Sequence, residues 1–261
     1  MEEKLLQMKS LVERLNQASD SYYNGKGELM TDYEWDALFD QLKRLEEETG
    51  EILPDSPTNR VSEDSIVGKK EEHEFAALSL AKTKQVSDLV KWAEDRPIWI
   101  SWKLDGLTLV VTYDGGKLTK IVTRGNGHIG TNITHLAPAI SGIPATISEK
   151  GHLVVRGEAV ISYTDFEQFI IESEGDYANP RNLASGSLTL KDIEEVKQRH
   201  IQWIPFTLVY TERELTSWGE RMQMLKDLGM NPVERERIDH PTTENIQLEI
   251  DKFTEKVTSK K

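Results

Sequence analysis

Apolar residues recur at helical spacing in the first part of the chain. On the first predicted helix, one face carries Leu5, Met8, Val12 and Leu15. A polar, glycine-containing loop follows, and Thr31-Asp32-Tyr33-Glu34 then has the pattern of a capping box that begins a second helix. The apolar face of this helix carries Trp35, Leu38, Phe39, Leu42 and Leu45. The pattern therefore predicts a small module of two helices over about residues 1–50.

From about residue 97 the pattern changes to runs of β-branched and aromatic residues, which are typical of strands. These runs are Ile98–Trp102, Leu107–Tyr113, Leu118–Thr123, Leu153–Val155, Ala159–Ile161 and Ile201–Tyr210. Asp114-Gly115-Gly116 predicts a hairpin turn, the charged stretch 62–74 predicts a linker, and helices are predicted over 217–228 and 243–257. Mixed helices and strands with an early hairpin indicate an α+β fold with an antiparallel sheet.

Composition limits the classes of protein that this chain can represent. Hydrophobic residues make up 37% of the 261 positions, enough for a real core, and no apolar run is long enough to predict a transmembrane helix. We expect no association with a membrane. The chain contains no cysteine, which fits a reducing compartment, so we expect a cytoplasmic protein. Its net charge of −13 disfavours binding to nucleic acid unless basic residues are supplied locally or by a partner.

Three short segments carry residues suited to chemistry. Lys103-Leu104-Asp105-Gly106 places a lysine at the end of one predicted strand and a glycine at the start of the next, which would direct an amine into a cleft. By itself this tetrapeptide also fits an ordinary hairpin turn. Arg156-Gly157-Glu158 interrupts an apolar strand and also fits a surface ion pair on an edge strand. The third segment, 179–187, also fits a surface loop.

Gly125-Asn126-Gly127-His128-Ile129-Gly130 matches the GxGxxG dinucleotide fingerprint. That fingerprint opens a long helix, whereas here Pro138 follows closely and no parallel βαβ unit surrounds the glycines. We therefore expect a glycine-rich loop beside a nucleotide pocket and not a Rossmann fold. The six histidines show no metal-ligand spacing, so no metal ligands are predicted among them.

The order and spacing of these motifs resemble the adenylation domain of bacterial-type NAD-dependent DNA ligases. The collinear segments are Lys103–Gly106, Thr123–Gly127, Arg156–Glu158 and Tyr177–Leu188. Upstream, Pro54–Val61 is similar to the family's linker and Leu78-Ser79-Leu80 to its adenine-side strand. The residues that resemble the family's helical module for nicotinamide mononucleotide (NMN) are Tyr22, Tyr23, Asp32, Trp35 and Asp36.

The resemblance implies a nucleotidyltransferase domain, ATP-grasp-like, with antiparallel sheets flanked by helices. It implies a helical NMN-binding module with linker over residues 1–60 and an adenylation domain over 61–261 that is incomplete at its C-terminus. In the family reaction a lysine attacks the α-phosphorus of NAD, releases NMN, and passes the bound AMP to the 5′-phosphate of a nick in duplex DNA. NAD is thus a substrate, and magnesium assists.

The resemblance also implies roles for individual residues. Lys103 would be the nucleophile, with Asp105 beside the reacting phosphate and metal. Arg124 would lie by the ribose and phosphate, Glu158 would hold the ribose hydroxyls, and Phe206 would stack on adenine. Ser79 and Leu80 would contact adenine, and Arg181 would contact nucleic acid. A lysine ordinarily has a pKa of about 10.4, so a nucleophilic lysine needs positive charge nearby.

The chain also departs from the family pattern. The family usually has Glu at Ser101, Asp at Asn126, Tyr at Trp35 and Arg at Thr189. The family also continues into an Asp-Gly strand, a further lysine strand and an OB-fold, so we expect a partner domain or subunit that carries these parts. Ser101, Asn126 and Thr189 leave open an alternative, a non-catalytic NAD- or NMN-binding subunit or a degenerate ligase relative.

Overall fold

The structure is a computed structural model. It describes residues 2–23, 29–30, 32–53, 56–58, 66, 68–78, 81–173, 177, 179–190 and 192–258. None of the helices in this part of the chain has both the length and the apolar character needed to cross a lipid bilayer.

The first two helices, α1 (Glu2–Tyr23) and α2 (Asp32–Thr49), pack against each other around a hydrophobic cluster of their own. Its buried members are Met8, Leu11, Val12, Leu15, Leu42 and Leu45. Trp35 packs against this cluster, stacks on Phe39 with 4.8 Å between the ring centroids, and donates from Nε1 to the carbonyl oxygen of Leu15 at 3.3 Å. The predicted pair of amphipathic helices is confirmed.

Glu46 fastens the helix pair to the segment that follows it. Its side chain is buried, and Ser56 Oγ and Thr58 Oγ1 donate to its Oε1 at 2.5 and 2.8 Å. Because a buried carboxylate is costly unless it is hydrogen-bonded, these hydroxyl groups fix residues 56–58 against α2.

The strands after the helix pair form three antiparallel groups. They are β1 (Lys70–Glu72), β2 (Ile98–Ser101), β3 (Leu107–Asp114), β4 (Lys117–Thr123), β5 (Ile129–Thr131), β6 (Leu153–Val160), β7 (Gln202–Thr211) and β8 (Arg235–Ile238). The largest sheet has the order β4-β3-β6-β7, and β1 pairs with β5 and β2 with β8. The predicted α+β class with an antiparallel sheet and the hairpin between β3 and β4 are confirmed.

Two predictions about strands are wrong. The charged stretch 62–74 was predicted to be a linker, yet residues 70–72 form β1, because their backbone pairs with β5 and an exposed edge strand tolerates charged side chains. The two short strands predicted on either side of Arg156-Gly157-Glu158 are one continuous strand, β6. Its polar positions lie between β3 and β7 in the sheet and do not interrupt the pairing.

The remaining helices are α3 (Val86–Ala93), α4 (Tyr163–Ser173), α5 (Pro180–Ser187), α6 (Ile193–Lys197), α7 (Trp218–Asp227) and α8 (Thr243–Thr258), with a 3-10 helix at Thr134–Ala139. The main core joins one face of the sheet to buried residues of α5, α6 and α7. From the sheet, this core takes Leu109, Val111, Val155 and Trp203. The opposite face carries a smaller apolar cluster around Val110 and Val154, and the polar residues of this face lie beside that cluster.

Candidate active site

Lys103 lies in the short loop between β2 and β3, where both it and Asp105 are exposed. Gly106, at the end of this loop, is buried against β6. A Cβ atom at this position would stand 2.1 Å from the carbonyl oxygen of Ala159, so only glycine fits. The backbone N–H of Gly106 donates to Glu158 Oε1 at 3.2 Å. The lysine loop is thereby fixed to the sheet beside a carboxylate.

Glu158 is a buried carboxylate on β6, with a residue exposure of 8%. Thr108 Oγ1 donates to its Oε2 at 2.9 Å. Burial raises the pKa of Glu158, and the hydrogen bond from Thr108 and the charges of Arg181 and Lys103 partly oppose this rise. A carboxylate has about four acceptor positions. Glu158 can therefore accept further hydrogen bonds, such as those from the hydroxyl groups of a ribose.

The polar side chains of the site share one face of the large sheet. Because Leu109 points into the main core, the alternate positions Thr108 on β3 and Arg156 and Glu158 on β6 point away from it. Arg124 follows β4 directly, and its backbone N–H donates to the carbonyl oxygen of Thr108 at 3.0 Å. Burial and the charge of Arg124 both lower the pKa of Arg156, since two nearby cations disfavour each other.

Residues 74–77, here called the crossing segment, run over this polar face. Arg156 Nη2 donates to the carbonyl oxygen of Ala76 at 2.6 Å, and Arg124 Nε donates to that of Ala77 at 2.9 Å. Both arginines are thus held by backbone carbonyls of one extended stretch. The crossing segment positions the guanidinium groups and leads towards residues 79–80, which lie outside the described residues.

The glycine-rich loop 125–130 turns back into β5 and does not open a helix, so it is not a Rossmann fingerprint. Asn126 Oδ1 accepts the backbone N–H groups of residues 128–129 at 2.9 and 2.8 Å. The carbonyl oxygen of Gly127 accepts the N–H of Ala77 at 2.7 Å, which places this loop beside the crossing segment. The loop needs an acceptor oxygen at position 126, and asparagine supplies one without the charge of the family's usual aspartate.

The segment that could also have been a surface loop contains helix α5. Asn179 caps the helix, since its side chain accepts the N–H of Asn182 at 2.9 Å. This start directs Arg181 towards the lysine loop, where its Nη1 lies 3.1 Å from Asp105 Oδ1. The residue predicted to contact nucleic acid therefore forms an ion pair with the residue predicted to lie by the reacting phosphate. Both side chains are partly exposed, so a phosphate can compete for Arg181.

Two further departures from the family pattern have clear local environments. Ser101 ends β2 opposite Arg235. Thr189 follows α5, and its hydroxyl group donates to the carbonyl oxygen of Gly186 at 2.6 Å, so it serves the end of the helix and carries no charge. A cavity of about 340 Å³ next to the lysine loop is lined by Ile100, Ser101, Trp102, Lys103, Ile250, Phe253 and Thr254.

The structure brings together Lys103, Asp105, Arg124, Glu158 and Arg181 from four separate segments of the chain. Phe206 is half-buried in β7, at an irregularity in the pairing of β7 with β6 between Pro205 and Thr207. Its stacking on adenine stays a prediction. Ser79 and Leu80 lie outside the described residues.

In the helical module, Trp35 lies at the hydrophobic cluster of the helix pair, so packing accounts for its position. Its predicted contact with the nicotinamide half stays a prediction. The structure does not describe the side chains of Tyr22, Tyr23, Asp32 and Asp36, although their backbone lies in α1 and α2.

The partners that organise this site were not predicted from the sequence. Thr108 and the crossing segment were not singled out, and Arg156 was given no role beyond its motif. The available signal was the spacing of Arg156 and Glu158, because residues two apart on a strand share one face. Gly157 between them faces the core, where a Cβ atom would stand 2.4 Å from the ring of Trp203.

Within the described residues, no group of three acidic or histidine side chains is arranged to hold a metal ion. Mg²⁺ is commonly held by one or two carboxylates together with phosphate oxygens of a substrate. Asp105, an exposed carboxylate in the lysine loop, fits such a shared role.

Comparison with known proteins identifies relatives that are named DNA ligases. The DNA ligase of Lachnoclostridium phytofermentans is 40% identical over 252 residues, which cover 94% of this chain and 38% of that protein. The DNA ligase of Ruminiclostridium cellulolyticum is 38% identical over 263 residues, 98% of this chain and 40% of that protein. The chain thus spans roughly two fifths of the length of these relatives.

Two family descriptions match almost the whole sequence. Residues 1–62 match the DNA ligase-like N-terminal NAD+-binding domain. Residues 69–260 match the NAD-dependent DNA ligase adenylation domain. The chain therefore belongs to the family of NAD-dependent DNA ligases, of which it carries the N-terminal NAD+-binding domain and the adenylation domain.

Proposed function

We propose that this chain catalyses the first step of NAD-dependent ligation, the transfer of AMP from NAD to Lys103. The lysine nitrogen forms a bond to the α-phosphorus, and the bond between that phosphorus and the bridging oxygen breaks. NMN leaves with the electron pair, and the lysine nitrogen loses a proton. The product is a lysyl-AMP phosphoramidate, an activated carrier typical of covalent catalysis.

The observation that carries this proposal is the attachment of the lysine loop to Glu158. Gly106 and Thr108 hold the carboxylate of Glu158, and Lys103 is in the same loop as Gly106. A ribose bound by Glu158 would thus be anchored close to the nucleophile. Holding two reactants in a productive geometry can supply about 7–11 kcal/mol of a barrier.

The neighbouring residues have complementary proposed roles. Arg124 would bind the ribose and phosphate, Phe206 would stack on adenine, and Ser79 and Leu80 would border the base. Asp105 would share Mg²⁺ with the phosphates of NAD, and the bound ion would neutralise their negative charge. Arg181 would bind a nucleic-acid phosphate when released from Asp105.

The proposed organisation follows the family. Residues 1–60 would form the NMN-binding module and linker, and 61–261 a nucleotidyltransferase domain. The residues that would clamp the nicotinamide half are Tyr22, Tyr23, Asp32, Trp35 and Asp36. Sealing of nicks in duplex DNA is proposed for the protein to which these domains belong, with the OB-fold and further strands supplied by a partner domain or subunit.

The test is incubation of the chain with adenine-labelled NAD and Mg²⁺, followed by separation under conditions that preserve the phosphoramidate. We expect label on the wild-type chain and none on Lys103→Ala. Lys117→Ala is a matched control, because Lys117 is exposed at the start of β4 and away from the lysine loop. Equal label on Lys103→Ala, or preferential labelling by ATP, would refute the proposal.

A second candidate function is a non-catalytic NAD- or NMN-binding subunit. It is favoured by Ser101, Asn126 and Thr189, which stand where the family usually has charged residues. Asn126 and Thr189 make local hydrogen bonds instead. Calorimetry and mass spectrometry distinguish the two functions. Tight NAD binding without any lysyl-AMP, even with a fragment that supplies the rest of a ligase, would favour the binding subunit.

A further inference from the structure

His152 lies immediately before β6 and contacts two carboxylates at once. Its Nδ1 is 2.6 Å from Asp114 Oδ1, and its Nε2 is 2.8 Å from Glu74 Oε2. Its backbone N–H donates to Glu212 Oε1 at 3.2 Å. The side chain is 25% exposed, so this imidazole is mostly enclosed by its partners.

The contacts of His152 connect the sheet to the start of the crossing segment. Asp114 ends β3, whereas Glu74 is the first residue of the crossing segment. The next residue, Phe75, stacks on Tyr210 of β7 with 5.2 Å between ring centroids. The centroid of the His152 ring lies 5.5 Å from that of the Tyr210 ring. One end of the crossing segment is therefore fastened by an ion pair and by aromatic packing.

The other end of the crossing segment holds the arginines of the nucleotide site. The carbonyl oxygen of Ala76 accepts a hydrogen bond from the guanidinium group of Arg156, and that of Ala77 accepts one from Arg124. Only a few covalently linked residues separate these acceptors from Glu74. We therefore expect a displacement of Glu74 from the sheet to shift the carbonyl groups that orient the two guanidinium groups, against the hydrogen bond that holds Ala77 to Gly127.

We propose that His152 is a positioning residue for nucleotide binding, which clamps the crossing segment to the sheet and so holds Arg124 in place beside Glu158. The proposal rests on the proposed function, because it assumes that NAD binds at Glu158 and Arg124. His152 acts through the crossing segment and does not itself touch the nucleotide site.

The clamp requires the charged form of His152. Both ring nitrogens face carboxylate oxygens, so both must donate, and only the protonated imidazole has two donors. The hydrogen bonds and charges of Asp114 and Glu74 accordingly raise the pKa of His152 above its ordinary value, although burial opposes them. The hydrogen bond between His152 and Asp114 also holds the pKa of Asp114 below its usual range.

The direction of the pH dependence follows from this raised pKa. The stabilisation is fully present below the pKa of an unfolded histidine and is lost as the pH rises through the pKa in the folded protein. A neutral imidazole can donate to only one carboxylate, so one of the two contacts then fails. The charged groups around His152 are Glu74, Asp114, Lys120, Glu149, Lys150 and Glu212. His73, which contacts the carbonyl oxygen of Arg124, is a second titratable group nearby.

The clamp itself can be tested on the chain alone by hydrogen exchange of residues 73–78. The test variant is His152→Asn, which can reach Asp114 but not Glu74. The matched control is His200→Asn: His200 pairs with Asp165 at 2.9 Å, is 63% exposed, and makes this contact away from the crossing segment. Its backbone φ of 52° suits asparagine. At a fixed pH of about 6, below the raised pKa of His152, we expect exchange about 1.5-fold to fivefold faster in His152→Asn, the range typical of exposed ion pairs, and no change in the control.

NAD affinity tests the connection to the nucleotide site. Calorimetry from about pH 6 to about pH 8.5 spans the range in which histidines titrate. We expect the wild-type Kd to rise by about 1.5-fold to fivefold across this range, and the Kd of His152→Asn to be high throughout. Glu74→Gln is a second test at a 58% exposed side chain, so the variant should fold. Its amide can pair with a neutral imidazole, and its Kd should therefore lose most of the pH dependence.

The outcomes separate the two proposals. Unchanged exchange in His152→Asn, or exchange that is faster by the same factor in His200→Asn, would overturn the clamp. Faster exchange with an unchanged Kd for NAD would overturn the role of His152 in positioning Arg124. A pH dependence of the Kd that persists in both variants would overturn it as well. A wild-type chain that binds no NAD at any pH would overturn the proposed function, and the exchange result would still decide whether the clamp exists.

Discussion

Replacement of Gly106 by alanine tests whether the lysine loop must lie directly on β6. The new Cβ atom would stand 2.1 Å from the carbonyl oxygen of Ala159 and 3.0 Å from Val160 Cγ1. Ala159 lies in a strand that is paired on both sides, so its backbone cannot yield. The loop must instead move out by about 1.3 Å to reach ordinary contact distance, which begins at 3.4 Å.

This movement has two expected costs. Overpacking typically destabilises a protein by about 1–3 kcal/mol, and loss of the hydrogen bond from Gly106 to the Glu158 carboxylate adds about 1.5–3 kcal/mol. Because relaxation at the surface relieves part of the strain, we expect a net loss of about 2–4 kcal/mol, or roughly 5–15 °C in Tm. A displacement of about 1 Å at the nucleophile should also slow lysyl-AMP formation by roughly a hundredfold.

The assay is thermal unfolding together with single-turnover labelling by NAD, performed well below the Tm of each variant. Gly115→Ala is the control, because it strains a backbone with φ of 59° but meets no atom within 4 Å and lies in the hairpin turn between β3 and β4. It should lower the Tm by a few degrees and leave the rate of labelling unchanged. Labelling of Gly106→Ala at the wild-type rate would refute the argument that the loop position matters.

Three further predictions address the charge of Glu158, the acceptor oxygen at position 126 and the net charge of the chain. Glu158→Gln should raise the Tm at neutral pH, because burial raises the pKa of Glu158 and a neutral amide, whose NH₂ group can donate to Thr108, avoids the cost of a buried charge. The gain in Tm should shrink as the pH falls and the wild-type carboxyl group becomes neutral. The affinity for NAD should fall at neutral pH. Asn126→Asp should leave the Tm unchanged, because aspartate also supplies an acceptor oxygen. Asn126→Ala should lower the free energy of unfolding by about 1 kcal/mol in thermal unfolding, because the backbone N–H groups of residues 128–129 lose their acceptor. Equal losses of stability in the two variants would contradict this prediction. These 261 residues, at net charge −13, should bind NAD but seal no nicks in a gel assay. Sealing should appear when a basic fragment with the remaining ligase domains is added. Efficient sealing by the chain alone would show that the charge argument is wrong.

Much of the fold could be predicted from local patterns, and the exceptions have physical reasons. The helix pair and the β3–β4 hairpin were predicted because apolar periodicity and a glycine turn determine them locally. β1 and β8 were missed because both are short, rich in charged residues and defined only by their partner strands. Helix α5 was left open because its cap and its tertiary contacts, and not an apolar stripe, determine it.

The site was predictable as a set of motifs but not as an arrangement. Lys103 and Glu158 were identified through their motifs, and their connection through Gly106 depends on a pairing of β3 with β6 that no local pattern reveals. The same holds for the crossing segment, whose contacts with Arg124 and Arg156 are made by two backbone carbonyl groups that no side-chain motif could record.

The distribution of charge explains how an acidic chain can still attract a dinucleotide. Arg124 and Arg156 donate to backbone carbonyl oxygens, which orient a guanidinium group and carry no formal charge. Arg181 differs, because its partner Asp105 cancels its charge until a competing phosphate arrives. In the proposed first step, the guanidinium groups of Arg124 and Arg156 would face the pyrophosphate of NAD, and Arg181 would join only when another phosphate displaces Asp105. Because affinity for a DNA backbone depends on many phosphate contacts, we expect the proposed DNA binding to need basic surfaces outside this site.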